Sequence, residues 1–377
     1  MKIALVNKVF SLSHGGLERY AVNLSIALAA EGHEVHALGQ RFDDLPGQIT
    51  THRIAVRRCP AWLQIISFSR AVKQVLTSEK FDLVYGLTRC DAVDIYRLGD
   101  GIQRHWLALR YPFKPWRWLA CIINPVHLVN LMYERRLLGK GDCKYLITNS
   151  QLCKKQAQLY YRVPLERIEV IYNGVDQEVF SPATVTAQRQ TIRNELGLTD
   201  DAIVILYVSN NWQRKGLAVL LEAVALLDEQ GGKLHVVVVG RGRPAAFRRL
   251  LGRLSLAGRV HFAGVTKIVE RYYAAGDLFV LPTVYDPFAN VCLEAMACGL
   301  PVITTSGNGA AELLTPGING YIQYDPYDAS ELSSLLGKCL DPAELRRMGD
   351  AAHASAIPFT REWNMQQALA IFRRSLG

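Results

Sequence analysis

Hydrophobic positions along the chain alternate between short continuous runs, typical of buried strands, and longer stretches at helical spacing. The first run, Lys2 to Phe10, predicts a buried strand, and a helix predicted from Leu17 ends before Gly32, a residue type that favours helix C-termini. Strands and helices in this order predict a parallel sheet with right-handed crossovers. The first half contains three more predicted strands: Glu34 to Leu38, Phe81 to Gly86 and Lys144 to Asn149.

The same pattern begins again in the second half of the chain. It predicts a helix at Leu217 to Leu227 and five strands: Ile203 to Ser209, His235 to Gly240, Val260 to Ala263, Asp277 to Leu281 and Pro301 to Thr305. A chain of 377 residues is long enough for two α/β domains. The predicted fold class is therefore α/β, with Rossmann-like domains at residues 1–175 and 176–358. The segment 359–377, with an amphipathic helix at Arg361 to Arg374, is expected to cross back to the first domain.

The passage with the clearest chemistry is Leu281 to Gly299, LPTVYDPFANVCLEAMACG, where a strand ends and a helix begins. Ligands bind outside the carboxyl ends of parallel strands, and the first N–H groups of a helix attract anions. The residues that offer those N–H groups are Phe288, Ala289, Asn290 and Val291. Asp286 and Glu294 suit sugar hydroxyls better than phosphate. The alternative is a helix N-terminal charge plus a solvated glutamate.

A second candidate is Val208 to Gly216, VSNNWQRKG, at another strand end. Arg214 and Lys215 supply two cations, which can stabilise the charge of a leaving nucleoside diphosphate without a metal. The alternative is two ordinary surface cations. Cations at the start of a helix oppose its dipole, however, and this cost favours a functional role.

A third candidate is Ser13 to Arg19, SHGGLER, where Gly15 and Gly16 allow the backbone to approach a ligand closely. A tight turn is the simpler interpretation of a Gly-Gly pair. The spacing is not G-x-G-x-x-G, so a dinucleotide-binding fingerprint is not supported.

The first of these passages resembles the E-P-F-G-x-x-x-L-E signature of retaining glycosyltransferases of family 4, which have the GT-B fold. The resemblance implies that Asp286 contacts hydroxyls of the donor hexose and that Glu294 contacts the ribose. The chain has Asp286 in place of the usual glutamate and Ala289 in place of glycine. Val208 to Gly216 is similar to the G-R-x-x-x-x-K-G element of the family. Asn210 replaces its arginine, so Arg214 is expected to supply that charge.

The resemblance continues through most of the second half of the chain and sparsely through the first. Its further passages are IYNGVD (Ile171 to Asp176), VGRG (Val239 to Gly242), VHFAG (Val260 to Gly264), GLPV (Gly299 to Val302) and GINGY (Gly317 to Tyr321). The family also has a glycine-rich loop at the position of Gly15 and Gly16, close to donor phosphate. The family implies two domains facing across a cleft, and retaining, metal-independent transfer from a nucleotide sugar, here UDP-glucose, with no cofactor.

On the acceptor side, Asp91 to Gly101 reads DAVDIYRLGDG. The run D-I-Y-x-x-x-D is similar to lipopolysaccharide core glucosyltransferases, which have an aspartate at the position of Asp100. That carboxylate would orient the acceptor hydroxyl or accept its proton. A loop or capping aspartate is the alternative, and His105 is the next candidate for this role.

The formal net charge of the chain is +9. Between Arg97 and Lys140, eight Lys and Arg stand against two acidic residues, with aromatic residues between them. Such a segment favours contact with an anionic membrane surface. The predicted membrane and acceptor patch consists of Arg104, His105, Trp106, Arg110, Lys114, Trp116, Arg117 and Trp118. A basic surface with half-buried aromatic residues is the alternative. No nucleic-acid-binding motif accompanies it.

The eight cysteines include no C-x-x-C pair, which favours buried thiols in a reducing compartment over metal or disulfide roles. The order of the first elements lacks a signal-peptide pattern. The longest apolar stretch, Trp118 to Tyr133, is interrupted by polar residues and falls short of about 20 residues needed to span a bilayer. The chain is therefore expected to be cytoplasmic and peripheral at the inner face of the membrane.

Together these features predict a hexosyltransferase that moves glucose from UDP-glucose to a cell-envelope glycan, with a heptose of the lipopolysaccharide core as the acceptor. Three alternatives stay open. A nucleotide-sugar epimerase shares the architecture but does not need the basic aromatic tract. A nicotinamide-dependent oxidoreductase needs the missing glycine fingerprint. A nucleic-acid-binding protein explains only the charge and leaves Asp286 and Glu294 without a role.

Overall fold

Parallel sheets form the centres of two units in the computed structural model, which describes residues 1–12, 16–43, 45–56, 59–139, 143–227 and 233–376. One unit consists of Met1–Tyr172 together with the residues from Met365 onward, and the other of Asn173–Asn364. The alternation of strands and helices predicted from the hydrophobic pattern is confirmed in both.

Within the described residues, the first unit contains a seven-stranded sheet of order β5-β3-β1-β6-β7-β8-β9, with every pair parallel. Its strands are β1 Lys2–Val6, β3 Glu34–Gly39, β5 Ile49–Arg53, β6 Leu83–Gly86, β7 Ile95–Leu98, β8 Tyr145–Thr148 and β9 Ile168–Val170. A separate two-stranded sheet pairs β2 (Val9–Phe10) with β4 (Arg41–Phe42). The prediction of one strand from Lys2 to Phe10 is wrong, because the Asn7 side chain donates to the Val9 carbonyl (2.8 Å) and turns the chain between β1 and β2.

The helices of the first unit pack around this sheet. They are α1 Gly16–Ala30, α2 Ala61–Ser78, α3 Gln103–Arg110, α4 Lys114–Ile123, α5 Pro125–Glu134 and α6 Gln151–Tyr161, with a π-helical turn at Arg135–Gly139 and a 3₁₀ turn at Leu165–Arg167. The apolar stretch from Trp118 to Tyr133 is divided between α4 and α5. Pro125 cannot continue α4, and the Asn124 side chain accepts a hydrogen bond from Val126 N (3.2 Å) to start α5.

The second unit contains a six-stranded parallel sheet within the described residues, of order β12-β11-β10-β13-β14-β15. Its strands are β10 Ile203–Val208, β11 Leu234–Val239, β12 Val260–Gly264, β13 Leu278–Leu281, β14 Val302–Thr305 and β15 Gly320–Gln323. Its helices are α7 Pro182–Glu195, α8 Leu217–Leu226, α9 Pro244–Arg253, α10 Glu270–Tyr273, α11 Asn290–Ala297, α12 Ala329–Gly337 and α13 Pro342–Ala356, with a 3₁₀ turn at Gly309–Leu313. The last helix of the chain is α14, Arg361–Leu376.

Each sheet has a point where the strand order reverses. In the second unit the chain runs outward from β10 to β12, then returns to β13 and runs outward to β15. In the first unit the reversal lies between β1 and β6. In open parallel sheets, ligands bind at this reversal, outside the carboxyl ends of the strands.

Seven of the eight cysteines are buried, as predicted, and Cys59 is half-buried. Burial raises the pKa of the Cys90 and Cys292 thiols to about 12, so both are protonated and unreactive at neutral pH. None of the helices in the described ranges combines the length and the hydropathy that crossing a bilayer requires.

Candidate active site

The loop after β10 and the loop after β13 come into direct contact at the reversal point of the second sheet. Gly216 has φ +77°, and a Cβ atom there would lie 2.0 Å from the Pro282 carbonyl oxygen. Only glycine allows this approach. Val284 N also donates to the Arg214 carbonyl (3.1 Å). The K-G dipeptide of the motif therefore fixes one loop against the other.

Lys215 and Asp286, predicted from separate motifs, form an ion pair in this place. Lys215 is only 8% exposed. Burial, and then the nearby Arg214 guanidinium, lower the pKa of the Lys215 ammonium to about 7. Asp286 also accepts a hydrogen bond from Phe288 N (3.0 Å). The pair presents one positioned cation and one positioned carboxylate at the strand ends.

The backbone around Asp286 is held by the loop after β14. Asp286 N donates to the Gly307 carbonyl (3.0 Å), and Gly309 N donates to the Asp286 carbonyl (3.0 Å). The buried Asn308 side chain accepts from Ala289 N (3.1 Å), just before α11. Sequence reasoning missed Asn308, although its position directly after β14 at the same sheet edge was an available signal.

α11 begins at Asn290, with Ala289 as its N-cap and no side-chain cap. Such a terminus leaves backbone N–H groups of the first turn, including that of Val291, available to an anion. The Asn290 side chain accepts a hydrogen bond from Asn173 (2.7 Å), in the IYNGVD passage. The interaction explains how that passage supports the start of α11.

Glu294 lies one turn further along α11 and is half-buried. Its carboxylate accepts a hydrogen bond from the Tyr273 hydroxyl (2.8 Å). Burial, and then the Glu294 charge, raise the pKa of Tyr273, so the tyrosine remains a neutral donor. Tyr273 is a second residue that the sequence did not single out, because it lies on α10.

Asn210 contacts the loop that follows the neighbouring strand, β11. Its side-chain oxygen accepts from Arg241 N (3.0 Å), in the VGRG passage after β11. A Cβ atom on Gly242 would lie 2.1 Å from the Trp212 ring, so this glycine makes room for that aromatic residue. Asn210 therefore positions the backbone at the sheet edge.

In the first unit, Asp100 follows β7 and has a side chain that is 68% exposed. Its carboxylate lies 3.6 Å from the guanidinium of Arg89, a residue after β6 that is largely buried and donates to the Gly101 carbonyl (2.7 Å). Lys8 follows β1; burial lowers its pKa and the Asp100 charge raises it. Sequence reasoning missed both cations. Gly16 begins α1 at the same edge, and Gly15 lies outside the described residues.

Two members of the predicted acceptor patch contact α6. The His105 ring nitrogen lies 3.1 Å from the Tyr160 hydroxyl, and burial lowers the pKa of His105. Arg104 donates to the Tyr160 carbonyl (3.1 Å). These contacts fix α3 against the end of α6.

The rest of the patch lies on α3, on α4 and between them. Trp116 and Trp118 are 60% and 70% exposed, and Trp106 is half-buried. The charged residues around them are Arg110, Lys114 and Arg117. Arg97 was counted with this basic tract, which is wrong: it is 3% exposed and its guanidinium lies 4.5 Å from the Tyr20 ring centroid. The surface charge is therefore smaller than the sequence count.

Among the described residues, one group of side chains has the composition of a metal site: His36, His52 and Glu79 in the first unit. His36 Nδ1 lies at hydrogen-bond distance from His52 Nε2 (2.7 Å), and Glu79 forms an ion pair with Lys2 (3.0 Å). The neighbouring ammonium opposes a divalent cation there.

Two family models match the chain. The model described as Glycosyltransferase Family 4 matches residues 14–179, and the model described as Glycosyl transferases group 1 matches residues 202–341. Together the two ranges cover most of the chain, one in each half.

Curated relatives match along most of their length. The lipopolysaccharide glucosyltransferase WaaG of Escherichia coli (strain K12) is 25% identical over 334 residues, which are 88% of each protein. A D-inositol 3-phosphate glycosyltransferase of Thermobispora bispora is 27% identical over 92% of this chain and 86% of the relative.

Solved structures share the fold. The crystal structure of WaaG, a glycosyltransferase involved in lipopolysaccharide biosynthesis, has a TM-score of 0.83 at 23% identity, covering 98% of this chain and 99% of that one. Anabaena Alr3699/HepE in complex with UDP and glucose has a TM-score of 0.71 at 22% identity, with both chains fully covered. These similarities confirm the GT-B fold predicted from the motifs.

Proposed function

We propose that this chain, a glycosyltransferase of the GT-B fold with a family 4 domain in its first half and a group 1 domain in its second, transfers glucose from UDP-glucose to an envelope glycolipid. The predictions of this family and of a hexosyltransferase are confirmed by both family models and by similarity to WaaG. The donor, the retained anomeric configuration and the acceptor are the parts proposed.

The observation that carries the proposal is the Lys215–Asp286 pair beside the uncapped start of α11. A nucleoside diphosphate sugar presents an anionic pyrophosphate and a neutral, hydroxyl-rich sugar. Lys215 and the first N–H groups of α11 suit the pyrophosphate, and the Asp286 carboxylate suits the sugar hydroxyls. Glu294, oriented by Tyr273, is proposed to accept from the ribose.

Lys215 and Arg214 also have a role in the chemistry of transfer. When the bond between the sugar and UDP breaks, negative charge develops on the β-phosphate oxygen. Lys215 is already positioned by burial and by Asp286, and Arg214 is its neighbour in the chain. A positioned cation stabilises the developing charge without reorganisation, which is the efficient form of electrostatic catalysis.

The first unit is proposed to bind the acceptor. Asp100 follows β7 in an exposed position where it can accept a hydrogen bond from an acceptor hydroxyl. The Arg89 guanidinium lies 3.6 Å from this carboxylate and helps to hold it in place. The proposed acceptor is a heptose of the lipopolysaccharide core, in line with the similarity to WaaG.

The exposed aromatic residues of α4 support contact with the membrane. Trp116 and Trp118, with Lys114 beside them, combine interfacial aromatic rings with positive charge. We propose that this surface holds the enzyme at the inner leaflet, where glycolipid acceptors are built.

The proposal is tested by offering the purified protein UDP-, GDP- and ADP-sugars with and without lipopolysaccharide core acceptor. Products are identified by mass spectrometry, and the anomeric configuration of the new bond by NMR. Glu294→Ala and Lys215→Ala are compared with Lys267→Ala, an exposed lysine of the same unit.

Transfer from UDP-glucose with retained configuration, lost in the two site variants and kept in Lys267→Ala, supports the proposal. A product with inverted configuration contradicts the proposal. So does a result in which none of the donors in the panel is turned over. An epimerase would instead interconvert the donor sugar without any acceptor.

A further inference from the structure

The first unit contains a cavity of about 560 Å³ lined by α3, the π-helical turn and the end of α6. Apart from Arg104, none of its lining residues belongs to the sites assigned above. The lining includes three arginines and two tyrosines: Arg104, Arg135, Arg162, Tyr160 and Tyr161. Cavities of roughly 300–1,000 Å³ suit small ligands, so this one has the size of a binding site.

The three arginines of the cavity differ from their neighbour Arg136 in their charged partners. Among the described residues, no Asp or Glu forms an ion pair with Arg104, Arg135 or Arg162, whereas the neighbouring Arg136 pairs with Asp91 (3.2 Å). Three cations around one cavity repel each other, and an anion between them would remove that repulsion. The side chains come from three separate elements, so the convergence is a property of the fold.

Arg162 is held in a conformation that suits another residue type. Its φ is 53°, in the left-handed region, at the end of α6. Glycine or asparagine is favoured at that position because a larger side chain is strained there. At this position the positive charge of arginine is favourable beside the last carbonyls of the helix.

Arg104 contacts the end of α6. One of its nitrogens donates to the Tyr160 carbonyl (3.1 Å), and the guanidinium lies 5.6 Å from the Tyr160 ring centroid. A guanidinium has five N–H donors, so this bond leaves others for a ligand. Stabilisation of the carbonyl end of α6 accounts for Arg104 and for the charge of its C-cap residue Arg162, but it does not account for Arg135.

We propose that this cavity binds a phosphate group, carried by a sugar or by a lipid headgroup. Guanidinium groups bind phosphate through paired, charge-assisted hydrogen bonds, and the tyrosines provide aromatic surface for the rest of the ligand. The proposal does not depend on the identity of the donor or acceptor, because binding at the cavity is measured without turnover.

The test is isothermal titration of the full-length protein with glucose 6-phosphate, glucose and inorganic phosphate, and flotation with phosphatidylglycerol or phosphatidylcholine vesicles. The variants are Arg135→Gln and Arg162→Gly, with Arg70→Gln, an exposed arginine on α2, as the matched charge control. Glycine favours the backbone conformation of this position, so Arg162→Gly is expected to stay folded. UDP binding and melting temperature are measured in each variant.

We expect glucose 6-phosphate to bind at least ~10-fold more tightly than glucose, and each cavity variant to weaken it by about 10-fold, with Arg70→Gln unchanged. If the variants weaken only the binding of phosphatidylglycerol vesicles, the phosphate belongs to a lipid headgroup. The proposal is overturned if neither ligand depends on these arginines. If every variant still binds UDP, the result at the cavity is independent of any failure of the donor site.

Discussion

The candidate sites of the two units differ in how firmly the protein holds their charged groups. In the second unit, Lys215 is 8% exposed and forms an ion pair with Asp286. In the first, Asp100 has a side chain that is 68% exposed, and its nearest charged partner lies 3.6 Å away. A buried, paired group is preorganised for one ligand and one step of chemistry. An exposed carboxylate is held less firmly, so its ligand has a larger part in determining the geometry of the contact.

The largest effect is expected at the buried cation. Lys215→Ala removes the ammonium that balances developing phosphate charge and leaves Asp286 without its partner. Loss of one such group costs about 10²–10³-fold in turnover, and we expect the upper end here because the site is buried. UDP release is measured by a coupled assay. A loss of less than about 10-fold, with Lys267→Ala unchanged, would remove this lysine from the chemistry.

The second-largest effect is expected at Asp100, and it distinguishes the role of the first unit from that of the second. Asp100→Asn is expected to lower transfer to the acceptor by about 100-fold, because a general base contributes about 10²–10⁴-fold. Slow hydrolysis of the donor without acceptor should remain unchanged, since Asp100 acts only on the acceptor hydroxyl. Both rates are measured on one protein preparation. If Asp100→Asn lowers transfer and donor hydrolysis equally, Asp100 acts at the donor site and the two units do not have separate roles.

A smaller, pH-dependent effect tests the ion pair. Burial lowers the pKa of Lys215 to about 7, and Asp286 is its ion-pair partner. Turnover of the wild type should therefore fall by about 10-fold between about pH 6 and about pH 8, as the lysine loses its proton. Asp286→Asn removes a carboxylate that favours the charged lysine, so turnover of the variant should fall at lower pH. Parallel pH profiles for the two proteins would contradict the account.

The smallest effect is expected at the exposed surface of α4. Replacing Trp116 and Trp118 with alanine should weaken binding to phosphatidylglycerol vesicles by about 5–10-fold, with donor turnover in solution unchanged. Tyr324→Ala, an exposed aromatic residue of the second unit, is the control. If that control weakens vesicle binding equally, α4 is not a specific membrane surface.

The sequence predicted most of the fold, because buried strands such as Ile203–Val208 are continuous apolar runs and the helices have regular spacing. The candidate donor residues could be named from the sequence because each follows a strand within a short motif. Asn308, Arg89 and Lys8 were missed, since they meet their partners only through strand order in the sheet. Arg97 was misread because a cation buried against Tyr20 looks like any other basic residue in the sequence.

The most direct test of the central claim is calorimetric titration of UDP into the full-length protein and its Lys215→Ala and Asp100→Asn variants. The account predicts that the wild type binds UDP, that Asp100→Asn binds it equally well, and that Lys215→Ala loses at least ~10-fold in affinity. Equal affinity in Lys215→Ala, or a loss confined to Asp100→Asn, would contradict the assignment of the donor site to the second unit.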